Sequence, residues 1–427
     1  MAGTLMVKFS WAGSPFDTSY RKAIARILIP TFFAGMASLG VFTSLMSLMV
    51  NDLLLNIGYS TAQAEGFALI LVGVDLLAKL AISPLAGYLA DKVGRRKVVV
   101  LGISYGIIAA LSFLWAYLFT AEIAIISAII AGIIALGFEK GQFNTAITVA
   151  SGDTGEEYQK IGPSEAAWDV ALIGGMIVGV IIVFLFELDF IQAIIFGLTA
   201  FSIGTLLSFL VFKETNQPIT YTPEQEKRIT IRSYRDIFKE RNFIPLFAYA
   251  FTVEAEESGF VFAVIPLMLK SLGFEAFEAQ AMAVLPAALV LAIVFIPIGR
   301  LSDKYGRRKT SLFGCAVSIP LFCLIFFFRD FVSLIIIGSL LAAFVAFYRI
   351  PLMASITDMT DRAHRGVPYG VFRGIREIGG SFAPMFFGVL ILAGLDLYDL
   401  VFIMAGITAI ALVIAFFTFK ETARTIE

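Results

Sequence analysis

Histidine is nearly absent from this chain of 427 residues, and its scarcity removes whole classes of chemistry. His364 is the single one, in a polar loop beside Arg362 and Arg365. With no second His or Cys near it, it reads as a solvated loop residue rather than a metal ligand. No metal and no cofactor is expected. Cysteine is almost as rare: Cys315 and Cys323 lie on one apolar run. Eight residues of helix separate their backbones by about 12 Å, too far for a disulfide. A membrane enzyme needs a nucleophile with a base, or a metal-ligand set. One histidine and no H-E-x-x-H supply neither, so no catalysis is expected.

Charge is the third scarcity. Only 15% of residues are charged and 59% are apolar, with a mean hydropathy of +0.89. A soluble domain is about 25% charged and about 45–50% apolar, and even a large one keeps a polar shell. The solvent of this chain is therefore lipid. Segments alternating polar and apolar, as a membrane barrel requires, are also missing; Ile129–Gly137 reads IIAGIIALG. The first 23 residues contain no apolar core ending at a small-residue cleavage site, and read as a short cytoplasmic arm.

What is present is a series of apolar runs, each near the roughly 20 residues that a helix needs to cross the hydrocarbon. Twelve occur, at 24–50, 64–90, 98–120, 122–149, 163–186, 190–212, 243–269, 277–299, 310–328, 331–356, 369–393 and 398–419. The expected fold is an all-α membrane protein with twelve transmembrane helices.

The basic residues fix an orientation. Of 32, only Lys270 and Arg329 fall on loops of one side, and Lys79, Lys140, Arg349, Arg373 and Arg376 lie inside runs. The other 25 collect on the side of the termini. Positive charge concentrates on cytoplasmic loops, so both termini are expected in the cytoplasm of a multi-pass protein of the cytoplasmic membrane. The formal charge of −1 says little, because 32 basic and 33 acidic residues cancel in sum while being sorted in space; no nucleic-acid partner is expected.

The chain also repeats itself. GYLADKVGRRK (87–97) answers GRLSDKYGRRK (299–309), each directly after an apolar run. FKET recurs at 212–215 and 419–422, RILIP (26–30) answers RNFIP (241–245), and IGG stands at 173–175 and 378–380. Offsets of 205 to 215, in the same order throughout, indicate one copied six-helix unit. The expected organisation is an arm (1–23), a six-helix bundle (24–212), a polar linker (213–242), a second, pseudo-symmetric bundle (243–420) and a tail (421–427). Within the linker, Thr222-Pro223-Glu224-Gln225 is a helix start and Ser233 with Asp236 resembles another. Short surface helices along anionic headgroups are expected there.

Two copies of G-x-L-x-D-K-x-G-R-R-K after the second and eighth spans resemble the loop signature of the major facilitator superfamily, and the resemblance covers the whole chain. It implies alternating-access transport of a small solute, with spans one, four, seven and ten lining a central cavity, and a monomeric carrier. The signature residues are Gly87, Asp91, Gly94, Arg95 and Arg96, and Gly299, Asp303, Gly306, Arg307 and Arg308. The two aspartates stand where a helix meets the cytoplasm, so each carboxylate can satisfy the N-terminal amides of a neighbouring helix, and the arginines can pair with acids on adjacent helices. The resemblance assigns the motif the role of a latch between two conformations. Asp153, Glu156 and Glu157 after span four, and Asp358 and Asp361 after span ten, are the expected acidic partners. Drug antiporters of the superfamily carry G-x-x-x-G-P-x-x-G-G on span five. Here Gly175 and Gly179 are followed by Val180, and the copy on span eleven keeps Pro384 but has Ala383 and Phe387 for two glycines.

Ionisable groups at membrane depth are functional candidates by default. Asp75 and Lys79 stand one turn apart on span two, and read as a self-neutralised pair. Glu139 and Lys140 lie on span four; Glu165 and Asp169 begin span five, where a helix N-terminus favours acids. Glu254, Glu256 and Glu257 fall in the middle of span seven, where three carboxylates cannot all be ionised and uncompensated. Arg349 and Lys140 are their candidate cations. Span eleven adds Arg373, Arg376 and Glu377, with Arg376 near the cytoplasmic end, where a gating contact competes with substrate binding. Two functional pictures use these groups. In one, a span-seven carboxylate carries a proton while Arg349, Lys140 or Arg376 binds an anionic metabolite. In the other, the carboxylates bind a cationic or amphiphilic compound exported against proton entry. The first is favoured; a membrane enzyme or a non-transporting receptor is a remote third.

Overall fold

In lipid every backbone N–H and C=O needs a partner within the segment, so apolar runs of this length become helices. The computed structural model describes residues 18–157, 161–215, 239–359 and 366–422, and these form helices with no strand among them. The first span is α1 (Thr18–Ala37), a π-helical stretch (Ser38–Thr43) and α2 (Ser44–Asn56). The first half is completed by α3 (Thr61–Val93), α4 (Arg95–Leu118), α5 (Glu122–Glu157), α6 (Ile161–Leu185) and α7 (Phe190–Val211). The second half repeats the plan. Its first span is α8 (Phe243–Glu254), a π-helical stretch (Ala255–Val261) and α9 (Val264–Ser271). Then follow α10 (Ala276–Tyr305), α11 (Arg307–Phe327), α12 (Phe331–Met359), α13 (Gly366–Leu392) and α14 (Leu400–Thr418).

These are the twelve spans of the apolar runs. Ten are long and apolar enough to cross a membrane among the described residues. The other two are the fifth, whose apolar part is Val170–Leu185, and the seventh, which is broken into two shorter helices. Several helices outrun their apolar stretch: α3 continues to Val93, α5 to Glu157 and α10 to Tyr305. The run ends where the hydrocarbon ends, whereas hydrogen bonding carries the helix on into polar surroundings. At the opposite ends, capping boxes at Ser60–Gln63, Asp189–Gln192 and Glu275–Glu278 start α3, α7 and α10. Because the number of crossings is even, Thr18 and Thr422 share one face, the terminal face. The arm as far as residue 17, linker residues 216–238, His364, Asp361 and the tail from 423 lie outside the described residues. So do the side chains of Asp91, Glu156, Glu157, Glu165 and Asp169.

Small residues set the helix spacing inside each half. Gly35 and Gly40 on the first span pack against the backbone of α6 at Leu172 and Met176, while Gly175 and Gly179 of α6 pack back against Phe32 and Met36. The second half makes the matching contact: Gly379 of α13 lies on Phe251, and Gly259 on Ala383 and Pro384. The incomplete glycine run of span five is thus used for close packing on span one.

The two halves meet along spans two and eleven, with Gly66 against Leu392, Gly73 against Met385 and Gly374 against Leu80. Nearer the face away from the termini, Lys270 donates to Asn51 at 3.2 Å. Gln280 donates to the Gly40 carbonyl at 2.6 Å and to Ser44. Rings of Phe184 and Phe277 join spans five and eight there, their centroids 6.4 Å apart. These contacts join the halves over the part of the bundle remote from the terminal face.

Candidate functional site

Residues 254, 256 and 257 cannot share a helical face, and the seventh span turns π-helical directly after Glu254. Such bulges add a residue to a turn and recur at functional sites. The three carboxylates accordingly point three ways. Glu254 takes Arg376 of α13 at 2.5 Å, with Ser258 donating to its other oxygen at 2.9 Å. Glu257 takes Arg349 of α12 at 2.6 Å. Among the described residues Glu256 meets no cation: Thr408 of α14 donates to one oxygen at 2.6 Å and the Tyr348 hydroxyl to the other.

Exposure separates the two ion pairs. The Glu257 and Arg349 side chains are 23% and 24% exposed, whereas Glu254 and Arg376 are 9% and 15% exposed. The outer pair is the more exposed, and Arg349 also lies over the Phe295 ring at 5.7 Å. The inner pair is closed off. Two expectations are corrected here. Arg376 reaches Glu254 in the middle of span seven rather than a gate at the membrane edge, because α13 packs on that span with Gly380 against the Glu254 side chain. Lys140 is not a partner of the span-seven acids; it is engaged within the first half.

That engagement corrects a third expectation. Asp75 and Lys79 do not neutralise each other: Asp75 takes Lys140 of α5 at 2.5 Å, and Lys79 crosses to Glu377 of α13 at 2.6 Å. Helix-surface pairs one turn apart are weak, and each residue here has a partner on a facing helix. Glu139, beside Lys140, is buried and among the described residues accepts only from Ser38, at 2.6 Å, where the π-helical stretch of span one begins. Arg373 has no hydrogen bond or ion pair among the described residues. One oxygen each of Asp75 and Glu377 is buried without a partner.

At the terminal face the signature builds the same clamp twice. Arg95 Nε meets Asp153 at 3.3 Å and Arg307 Nε meets Asp358 at 3.1 Å, so the acids after spans four and ten are partners as expected. The helix starts differ from expectation. Glu214 of the first FKET accepts the backbone N–H of Arg95 at 2.8 Å and of Arg96 at 3.3 Å. Glu421 of the second accepts those of Arg307 and Arg308 at 2.8 and 3.2 Å. Asp303 is not the cap because it sits one turn back on α10, where Arg307 binds its carboxylate. The chain leaving the sixth and twelfth spans passes the free N–H groups instead. Arg308 also donates to the Phe416 carbonyl at 2.7 Å, and Arg96 to that of Phe209. Ser38, Ser258, Tyr348 and Thr408 carried no sequence signal, whereas Glu214 and Glu421 lie in the repeated FKET, a mark of the duplication that could have singled them out.

Gly94 and Gly306 open these helices with φ of 103° and 97°, and a Cβ on either would meet the capping carboxylate. Gly306→Ala is expected to lower stability by at least about 1–2 kcal/mol, the cost of a left-handed residue with a side chain, read as thermal unfolding in detergent. The one G-x-S-x-G spacing, Gly102 to Gly106, lies inside α4 with Ser104 donating to the Val100 carbonyl at 2.8 Å. It forms no strand-to-helix nucleophile turn. Among the described residues no group of three His, Cys, Asp or Glu could hold a metal ion.

The family model of the Major Facilitator Superfamily matches residues 28–263 and again 246–427. The chain belongs to the major facilitator superfamily. Known members resemble it at low identity. The class H tetracycline resistance protein of Pasteurella multocida is 29% identical over 169 residues, 39% of this chain. That match spans 41% of the relative's length. Among solved structures, nucleoside transporter NupG superposes with a TM-score of 0.69 at 15% identity, covering 93% of this chain and 99% of NupG. A D-xylose–proton symporter gives 0.71 at 12% identity over 96% and 99%. The human organic anion transporter MFSD10 gives 0.62 at 15% over 94% and 100%. These likenesses show the fold. Membership of the superfamily accords with a bundle built of two six-helix halves.

Proposed function

We propose that this superfamily member is a proton-coupled secondary transporter of the cytoplasmic membrane, moving an organic anion or other polar metabolite by alternating access. The observation that carries this reading is the half-open pair of Glu257 and Arg349 on spans seven and ten. A proton on Glu257 removes the carboxylate from Arg349, and the guanidinium then offers its paired N–H donors to the acidic group of a solute. Loss of that proton restores the internal pair and expels the solute. Proton and anion thereby share one cation without meeting. Glu254 and Arg376, more enclosed, hold spans seven and eleven together beside this site. The charge sorting supports a cytoplasmic terminal face, with the arm, the linker 213–242 and the tail on that side; the carrier works as a monomer in lipid, with the two clamps as its latch.

A second reading is proton-driven export of a cationic or amphiphilic drug, and the match to a tetracycline resistance protein favours it. A thermal-shift screen of the detergent-solubilised protein against organic acids, sugars, amino acids and cationic drugs separates the two. The first reading predicts stabilisation by organic acids that Arg349→Gln removes. Stabilisation by cationic drugs that survives Arg349→Gln supports the second.

A further inference from the structure

The ionisable groups between spans two, four and eleven do not balance within either half. In the first half Lys140 is taken by Asp75, and Lys79 leaves its own half to bind Glu377. Glu139 therefore remains, among the described residues, with a single hydroxyl donor, Ser38. In the second half Glu377 is held across the interface, and Arg373, one turn away on the same helix, remains without a partner among the described residues. The bridge between Lys79 and Glu377 thus leaves a lone acid on one side and a lone cation on the other.

Parting of the halves at this level reverses both deficits. Lys79, released, lies on the same helix as Asp75, one turn away, and completes a first-half set of two carboxylates, Asp75 and Glu139, and two ammonium groups, Lys79 and Lys140. Glu377, released, stands four residues after Arg373, the spacing at which opposite charges pair on a helix. With the bridge closed, an ionised Glu139 is a buried carboxylate with no cation of its own, a costly state. With the bridge open, its charge is matched.

We propose that Glu139 is a second proton-binding site, loaded while Lys79 bridges to Glu377 and unloaded when the bridge breaks and Glu377 turns to Arg373. The groups facing Glu139 agree with this. Lys140 adjoins it and Asp75 and Lys79 act on it from α3. The first span presents Ser38, Tyr105 of α4 meets the neighbouring Phe138 edge-on at 5.7 Å, and the acids of α6, Glu165 and Asp169, have side chains outside the described residues. Unloading delivers the proton to the water that enters as the halves part, and no other bond is made or broken. The bridge also uncovers Arg373 for an anion in the same state that loads Glu139, so proton and anion would be carried together.

This rests on the alternating-access reading but is tested without any solute. Phe186→Cys and Leu272→Cys place one thiol on each half at the face away from the termini, both on exposed positions. In a Cys315→Ala, Cys323→Ala background they carry spin labels, and pulsed EPR reads the ratio of joined to parted molecules. One linked proton changes that ratio by up to about tenfold per pH unit. The joined fraction is expected to fall as pH rises, and Glu139→Gln is expected to flatten the slope by about one proton while Glu257→Gln leaves that part intact. Arg373→Gln, which deprives Glu377 of its second partner, keeps the halves joined to higher pH. An unchanged slope in Glu139→Gln, or an unchanged midpoint in Arg373→Gln, overturns the proposal. Solute flux with an unchanged slope defeats only this inference; a Glu139-dependent slope without flux defeats only the transport reading.

Discussion

Glu257→Gln, reconstituted in liposomes, is expected to lose solute uptake driven by a pH gradient, down to the level of protein-free vesicles, while exchange of internal for external solute persists within about tenfold of the unaltered protein. The amide is a neutral stand-in for the protonated acid. It cannot reclaim Arg349 as a full ion pair, so the cation stays available and binding continues. What it cannot do is gain and lose a proton as the halves alternate, and driven accumulation needs that step. Radiolabelled solute, taken up with and without an imposed gradient, reads both quantities from one preparation. Driven uptake that survives Glu257→Gln moves the coupling step elsewhere. Loss of exchange together with driven uptake makes Glu257 a binding group instead.

Arg376→Ala is expected to cause the largest loss of stability, about 3–5 kcal/mol, the usual cost of breaking a buried pair from one side. The Glu254 and Arg376 side chains are only 9% and 15% exposed, so the carboxylate left behind has little water to turn to. The sign with pH is defined: the ionised carboxylate is the form that lacks a partner, so the deficit grows as pH rises and shrinks as Glu254 takes up a proton. Glu254→Ala together with Arg376→Ala is expected to recover most of the loss, since the double change leaves no orphan charge. Denaturant unfolding in detergent at two pH values measures all three proteins. Equal losses in the single and double variants would show that packing, not charge, holds spans seven and eleven together.

The architecture was legible in the sequence because lipid permits few alternatives. Apolar runs of spanning length must be helices, the basic residues sort by side, and GYLADKVGRRK and GRLSDKYGRRK mark the duplication. The clamp partners Asp153 and Asp358 were among the five acids expected after spans four and ten. Pairing inside the membrane was less legible. Asp75 and Lys79 stand one turn apart, and nothing in their spacing shows that Lys140 and Glu377 on facing helices are nearer. The π-helical turn after Glu254 was also hidden; it decides that Glu254, Glu256 and Glu257 serve three different neighbours. The hydroxyl partners Ser38, Tyr348 and Thr408 are ordinary residues in apolar helices, and only the packing selects them.

The central claim is that movement of a solute is coupled to movement of protons through this bundle. Liposomes containing the protein, loaded at one pH and diluted into another, test it most directly with the solute that gives the largest thermal shift. Accumulation above the external concentration that collapses when a protonophore dissipates the gradient is the predicted result. Equilibration without accumulation, unaltered by the protonophore, would contradict it.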